Sequence, residues 1–147
     1  MKPYILNFGN YDEFRKELKD IAANNPGVSF LYKLFSKKDG TKIPVSRIAG
    51  TDNEGILYIG QTTSLVDRLA LLHRSFQKAP LKEKLWQHGA DEIYWQCESV
   101  RTQYPIKQMV IEITLCDDSK NMEYDEISKY CRQFGEVPPF NGAIVKR

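Results

Sequence analysis

With 147 residues, 41% of them hydrophobic and 27% charged, the chain has room for one globular domain and one core. Its net charge of +2 is too small to identify a partner. No apolar run approaches the roughly 20 residues that cross a bilayer, which excludes a membrane-spanning helix, and Met1-Lys2-Pro3-Tyr4 opens without a basic-then-apolar signal pattern.

In chain order, Asn10 can cap a first helix, with Glu13 in a capping-box position and Phe14, Leu18 and Ile21 as the buried stripe. Asn24-Asn25-Pro26-Gly27 stops it, so residues 1–25 read as a helical extension. Val28 to Phe35 predicts a strand and Asp39-Gly40 a turn, and the polar stretch 36–55 a hairpin or long loop. Gly55 to Gly60 is a short apolar strand bounded by glycines. Ser64 and Asp67 predict a capping box, and Leu65, Leu69, Leu72 and Phe76 recur on one face of the helix that follows. Pro80 opens another short helix that Gly89 closes. Ile93, Trp95 and Cys97 alternate with polar neighbours as in a half-buried strand, and Met109, Ile111, Ile113 and Leu115 do the same. A last helix runs from about Asn121 to Phe134, Gly135 ends it, and Pro138 to Asn141 is a loop. The sum is one α+β domain over 1–147, a small, mostly antiparallel central sheet flanked by helices.

Cys97, Cys116 and Cys131 are odd in number and widely spaced, and neither His73 nor His88 stands at a ligand spacing from any of them. They read as small buried hydrophobes in a reducing cytosol, so a cytoplasmic location is expected. Charge is distributed unevenly. Lys37, Lys38, Lys42 and Arg47 form one basic stretch, and Arg68, Arg74, Lys78, Lys82 and Lys84 another. Asp117, Asp118, Glu123, Asp125 and Glu126 gather near the C-terminus. A basic middle suits phosphate and a carboxylate-rich segment suits a metal, although solvated surface accounts for either.

The segment GILYIGQTTSLVDRL resembles the second half of the signature of the GIY-YIG nuclease family. Tyr58-Ile59-Gly60 is the triplet, Gln61-Thr62 the polar turn, and Arg68 follows Tyr58 by ten residues. Upstream, PGVSFLY stands where the family has its first tyrosine motif. Downstream, MEYDEISKYCRQFGEVPPFN is similar to its last helix and asparagine-ended turn. The resemblance covers Pro26 to Asn141, with a long insert between the two tyrosine motifs. It implies a metal-dependent endonuclease acting on DNA, or on RNA. Glu123 would hold Mg²⁺ or Mn²⁺, and Arg68 would stabilise phosphoryl charge. Tyr58 would orient or deprotonate the attacking water if nearby positive charge lowers its pKa.

The first motif leaves two alternatives: alignment on Pro26-Gly27-Val28 puts Ser29 at the tyrosine position, whereas the triplet Phe30-Leu31-Tyr32 keeps the tyrosine and loses the glycine. The two residues differ by an odd step and cannot share a face of a regular strand. Some family members carry a histidine four residues after the arginine; that position is Leu72 here, and His73, one residue on, is the candidate. Gln61, Thr62, Arg74 and Asn141 are the candidate substrate-binding residues. Independently of the resemblance, Glu123 falls in the middle of the apolar face made by Ile127, Tyr130, Cys131 and Phe134, whereas Glu126 falls to its side, at about 100° per residue. Two other readings stand beside the nuclease: a catalytically silent nucleic-acid-binding domain of the same fold, and a protein-interaction domain using Tyr94 and Tyr104 as exposed aromatics.

Overall fold

The computed structural model describes residues 2–77 and 89–142, the latter from residue 93 with side chains. Strand β1 (Tyr4–Asn7) leads into α1 (Tyr11–Asn24), where the Asn10 side chain accepts the Glu13 N–H at 3.0 Å, and the stripe Phe14, Leu18 and Ile21 is buried. β2 (Ser29–Lys38) runs into a turn at Asp39 and Gly40, both with positive φ, and returns as β3 (Thr41–Lys42). The insert continues as a second hairpin, β4 (Val45–Arg47) and β5 (Gly50–Asp52). β6 (Tyr58–Thr62) and α2 (Leu65–Gln77) follow, then α3 (Gly89–Gln96), α4 (Glu98–Gln103), a short 3₁₀ turn at Ile106–Gln108, β7 (Met109–Cys116) and α5 (Ser119–Phe134).

β2 is the spine of the central sheet. It pairs antiparallel with β7 on one side and with β6 on the other, and β1 adds antiparallel to the far side of β7. Even-numbered residues of β2 (Phe30, Tyr32, Leu34) face the larger core, which α1 and α2 complete with Leu18, Leu69, Leu72 and Phe76. Odd-numbered Leu31 and Phe35, with Ile59, face α5 through Ile127 and Tyr130. The expected α+β class, with helices against an antiparallel sheet, is what the chain forms.

Four expectations need correction. Residues 1–25 are not a helical appendage, because β1 is an edge strand whose Tyr4 to Asn7 register against Ile113 to Val110. Ile93 to Cys97 is not a strand: Ile93 to Gln96 end α3, and the buried residue is Tyr94, on the phase opposite to the alternation. Tyr94 and Tyr104 are not exposed, since both pack against Phe140, and Tyr94 also meets Phe76 edge-on at 4.8 Å. The cysteines are not core residues; Cys97 is exposed, and Cys116 and Cys131 are half-buried. The helix expected from Pro80 to Gly89 lies outside the described residues but for Gly89, the first described residue of α3. Among the described residues no helix is long and apolar enough to cross a membrane.

Candidate functional site

The register of β2 on β6 places Tyr32 opposite Gly60 and Leu34 opposite Tyr58, so the two tyrosines are diagonal neighbours on one sheet face. Their ring centroids stand 6.1 Å apart. Gly60 is what permits this: a Cβ there would lie 2.4 Å from Cζ of Tyr32. The Tyr32 ring therefore lies flat across the bare backbone of Gly60. It is fully buried, whereas Tyr58 is only half-buried and keeps one side toward solvent.

Arg68 comes from the first turn of α2, where its N–H donates to the Ser64 carbonyl at 3.0 Å. Its guanidinium stands close enough to both phenols to draw their pKa values down. Burial raises the pKa of Tyr32 beyond its ordinary value, and it pushes Tyr58 up to about 12 with Arg68 pulling the other way. The expectation of a tyrosine with lowered pKa is thus corrected: desolvation outweighs the guanidinium, and both phenols hold their protons at neutral pH.

Glu123 reaches the same place from the opposite face. α5 starts at Ser119, capped by the Asp118 side chain, which accepts the Asn121 N–H at 3.2 Å; one turn into the helix Glu123 is buried, as its helical phase required. Its carboxylate lies near the backbone N–H of Gln61 on the outer edge of β6. Burial raises its pKa, against the opposing pull of Arg68 and the Gln61 N–H. Glu126 points elsewhere and pairs with Lys33 at 2.8 Å.

Asn141 closes the same edge. Its Oδ1 accepts the Ile59 N–H and its Nδ2 donates to the Ile59 carbonyl, each at 3.0 Å, so its carboxamide stands in for a missing strand beside the Tyr58-Ile59-Gly60 triplet. Phe140 fixes that turn: it is buried against Phe76, Tyr94 and Tyr104, and its N–H donates to the Leu57 carbonyl at 2.8 Å. That aromatic anchor, drawn partly from α3, is a contributor that motif spacing alone does not disclose.

Of the expected residues, the structure brings Tyr32, Tyr58, Arg68 and Glu123 together, with Gln61 and Asn141 lining the edge. Ser29 is not among them; it lies on the other sheet face and its hydroxyl donates to the Cys116 carbonyl at 2.7 Å. Thr62 is buried and its Oγ1 accepts the Ser64 N–H at 2.8 Å, which shapes the turn into α2. His73 is also elsewhere. It is buried where α2 meets α1, with Nε2 3.0 Å from the Phe8 carbonyl and its ring among Phe8, Tyr11 and Phe14. Burial lowers its pKa, so it stays neutral as a core residue. Five residues beyond Arg68, it projects about 140° away around the helix. Arg74 is exposed and lines a groove with Tyr11 and Arg15 between α1 and α2. Two of the four basic residues of the 37–47 stretch are paired with acids elsewhere in the fold: Lys42 bonds Glu112 of β7 at 2.8 Å, and Arg47 pairs with Glu136 beyond α5.

Among the described residues no three His, Cys, Asp or Glu side chains gather as a metal cage. Glu123, a buried carboxylate at the rim of the site, fits the other manner of holding Mg²⁺, by one carboxylate with water and phosphate oxygens completing the shell. Comparison of the chain with known protein families, curated proteins and solved structures returns no match.

Proposed function

We propose that this chain is a metal-dependent endonuclease that hydrolyses phosphodiester bonds in DNA, as its resemblance to the GIY-YIG family implies. One observation carries the reading: Tyr58, Arg68 and Glu123, from a strand and two helices on opposite sheet faces, meet at one sheet edge. A bound Mg²⁺ or Mn²⁺ ion would supply Lewis acidity toward the phosphate. Glu123 would be its protein ligand. Arg68 presents a planar fork that can span two phosphoryl oxygens, and it stands beside the two phenols. Tyr58, held protonated, offers a lone pair and an O–H to orient the attacking water rather than a standing phenolate to deprotonate it. Tyr32, without solvent access, positions Arg68 and Tyr58 from behind.

The test is nicking of supercoiled and oligonucleotide DNA by the purified protein with Mg²⁺ or Mn²⁺, with EDTA abolishing it. Absence of cutting across metals and DNA or RNA substrates overturns the reading. The raised phenol pKa values and the lone carboxylate favour one other reading, a catalytically silent nucleic-acid-binding domain. That reading predicts gel retention of DNA without cutting, weakening steeply as salt rises.

A further inference from the structure

Gln61 meets α5 twice. Its backbone N–H lies near the Glu123 carboxylate, and its side-chain Oε1 accepts the Ser119 hydroxyl at 2.7 Å. Ser119 and Glu123 are one turn apart, so one face of the helix meets both the main chain and the side chain of the residue that follows the Tyr58-Ile59-Gly60 triplet. Ser119 is 4% exposed. Its hydroxyl would be a buried unsatisfied group without this bond, which makes the contact costly to break. Gln61 itself is half-buried.

A carboxamide has a carbonyl end that accepts and an amino end that donates. With the carbonyl turned onto Ser119, the end left for a ligand is the amino group. A phosphodiester backbone offers acceptors only, so the amide orientation decides whether Gln61 attracts or repels it. We propose that Ser119 is a positioning residue that fixes the Gln61 carboxamide with its NH₂ outward, as a neutral donor to a phosphate oxygen beside the scissile one. This rests on the nuclease reading and adds to it a residue outside the motifs.

The experiment measures steady-state cleavage of an oligonucleotide duplex by the wild type, Ser119→Ala, Ser119→Thr, Gln61→Ala and the Ser119→Ala/Gln61→Ala pair. Loss of one oriented hydrogen bond predicts a KM for Ser119→Ala about three- to tenfold higher, with kcat little changed. Ser119→Thr, which keeps the hydroxyl, restores it, and the double variant is no worse than Gln61→Ala alone. Should Ser119→Ala fail to fold, Gln61→Glu keeps the bond from Ser119 and replaces the outward donor by an anion. It should raise KM more than any of the others. The Gln61 side-chain amide protons, followed by NMR, should shift when the oligonucleotide is added with Ca²⁺. If the wild type cuts DNA but Ser119→Ala, or Gln61→Glu in its place, leaves KM unchanged, the inference falls and the nuclease reading stands. If the wild type neither cuts DNA nor shows that shift, both fall.

Discussion

At Tyr58 burial and a guanidinium pull in opposite directions, and burial wins by enough to place the phenol at about 12. The hydroxyl that meets substrate is then a neutral group, so Tyr58→Phe should cost roughly 10²-fold in turnover through lost water orientation. Tyr32→Phe, acting through Arg68 from a buried position, should cost about tenfold, and Ser29→Ala little; single-turnover cleavage rates compare the three. Arg68→Lys should lower turnover by roughly 10²-fold or more, because an ammonium loses the fork that spans two oxygens. Glu123 supplies a test with a definite sign. Its folded pKa is raised by burial, so its contribution to stability is full below the ordinary carboxyl range and is lost as pH rises through the raised value. Without metal, Glu123→Gln should therefore unfold at a higher temperature than the wild type at pH 7, and the gap should close toward pH 4. Added Mn²⁺ should stabilise the wild type only, and cleavage should vanish in the variant. A variant less stable at pH 7 than at pH 4, relative to wild type, would remove Glu123 from the buried site. Glu126→Gln, breaking a partly exposed pair with Lys33, should leave most activity and stability.

At the scale of elements, the glycine of the triplet and the Phe140 turn set the precision of the site. Gly60→Ala puts a methyl into the Tyr32 ring, which has no room to retreat, and should cost about 1–3 kcal/mol while displacing the hydroxyl from Arg68. Phe140→Ala should cost about 3–5 kcal/mol and speed exchange of the Ile59 amide, which Asn141 protects. Equilibrium unfolding in urea and hydrogen exchange measure both. Most elements were legible because their signals were local: the Asn10 cap, the Asp39-Gly40 turn, the four-residue period of α2, the alternation of β7. β1 was not legible, since four residues with three of them exposed carry no period, and only pairing with Ile113 to Val110 makes them a strand. Ile93 to Cys97 misled because Tyr94 counts as polar in an alternation yet buries its ring on Phe76 and Phe140. The site divides the same way. Glu123 and the tyrosine-to-arginine spacing could be read from phase and distance along the chain. Parity along the strand showed that Ser29 and Tyr32 exclude one another, but which of them joins Tyr58, and where Thr62 and His73 pack, depended on strand pairing and helix-on-helix packing that no spacing encodes.

Across the whole molecule the N-terminal segment is structural, with β1 completing the sheet and α1 covering α2. A chain beginning at Pro26 should therefore lose cooperative thermal unfolding, measured by circular dichroism, rather than survive as a smaller nuclease domain. The other end of the chain has a different duty. Asn141 occupies the N–H and C=O of Ile59, and Glu123 lies over the N–H of Gln61, along what would otherwise be an open outer edge of β6. An uncovered edge is a template for another strand. Two polar side chains thus serve as plugs against self-association. Trimming the chain before Pro138 would unplug that edge, and the trimmed protein, unlike the full chain, should sediment with a marked dependence on concentration and form aggregates that bind amyloid dyes.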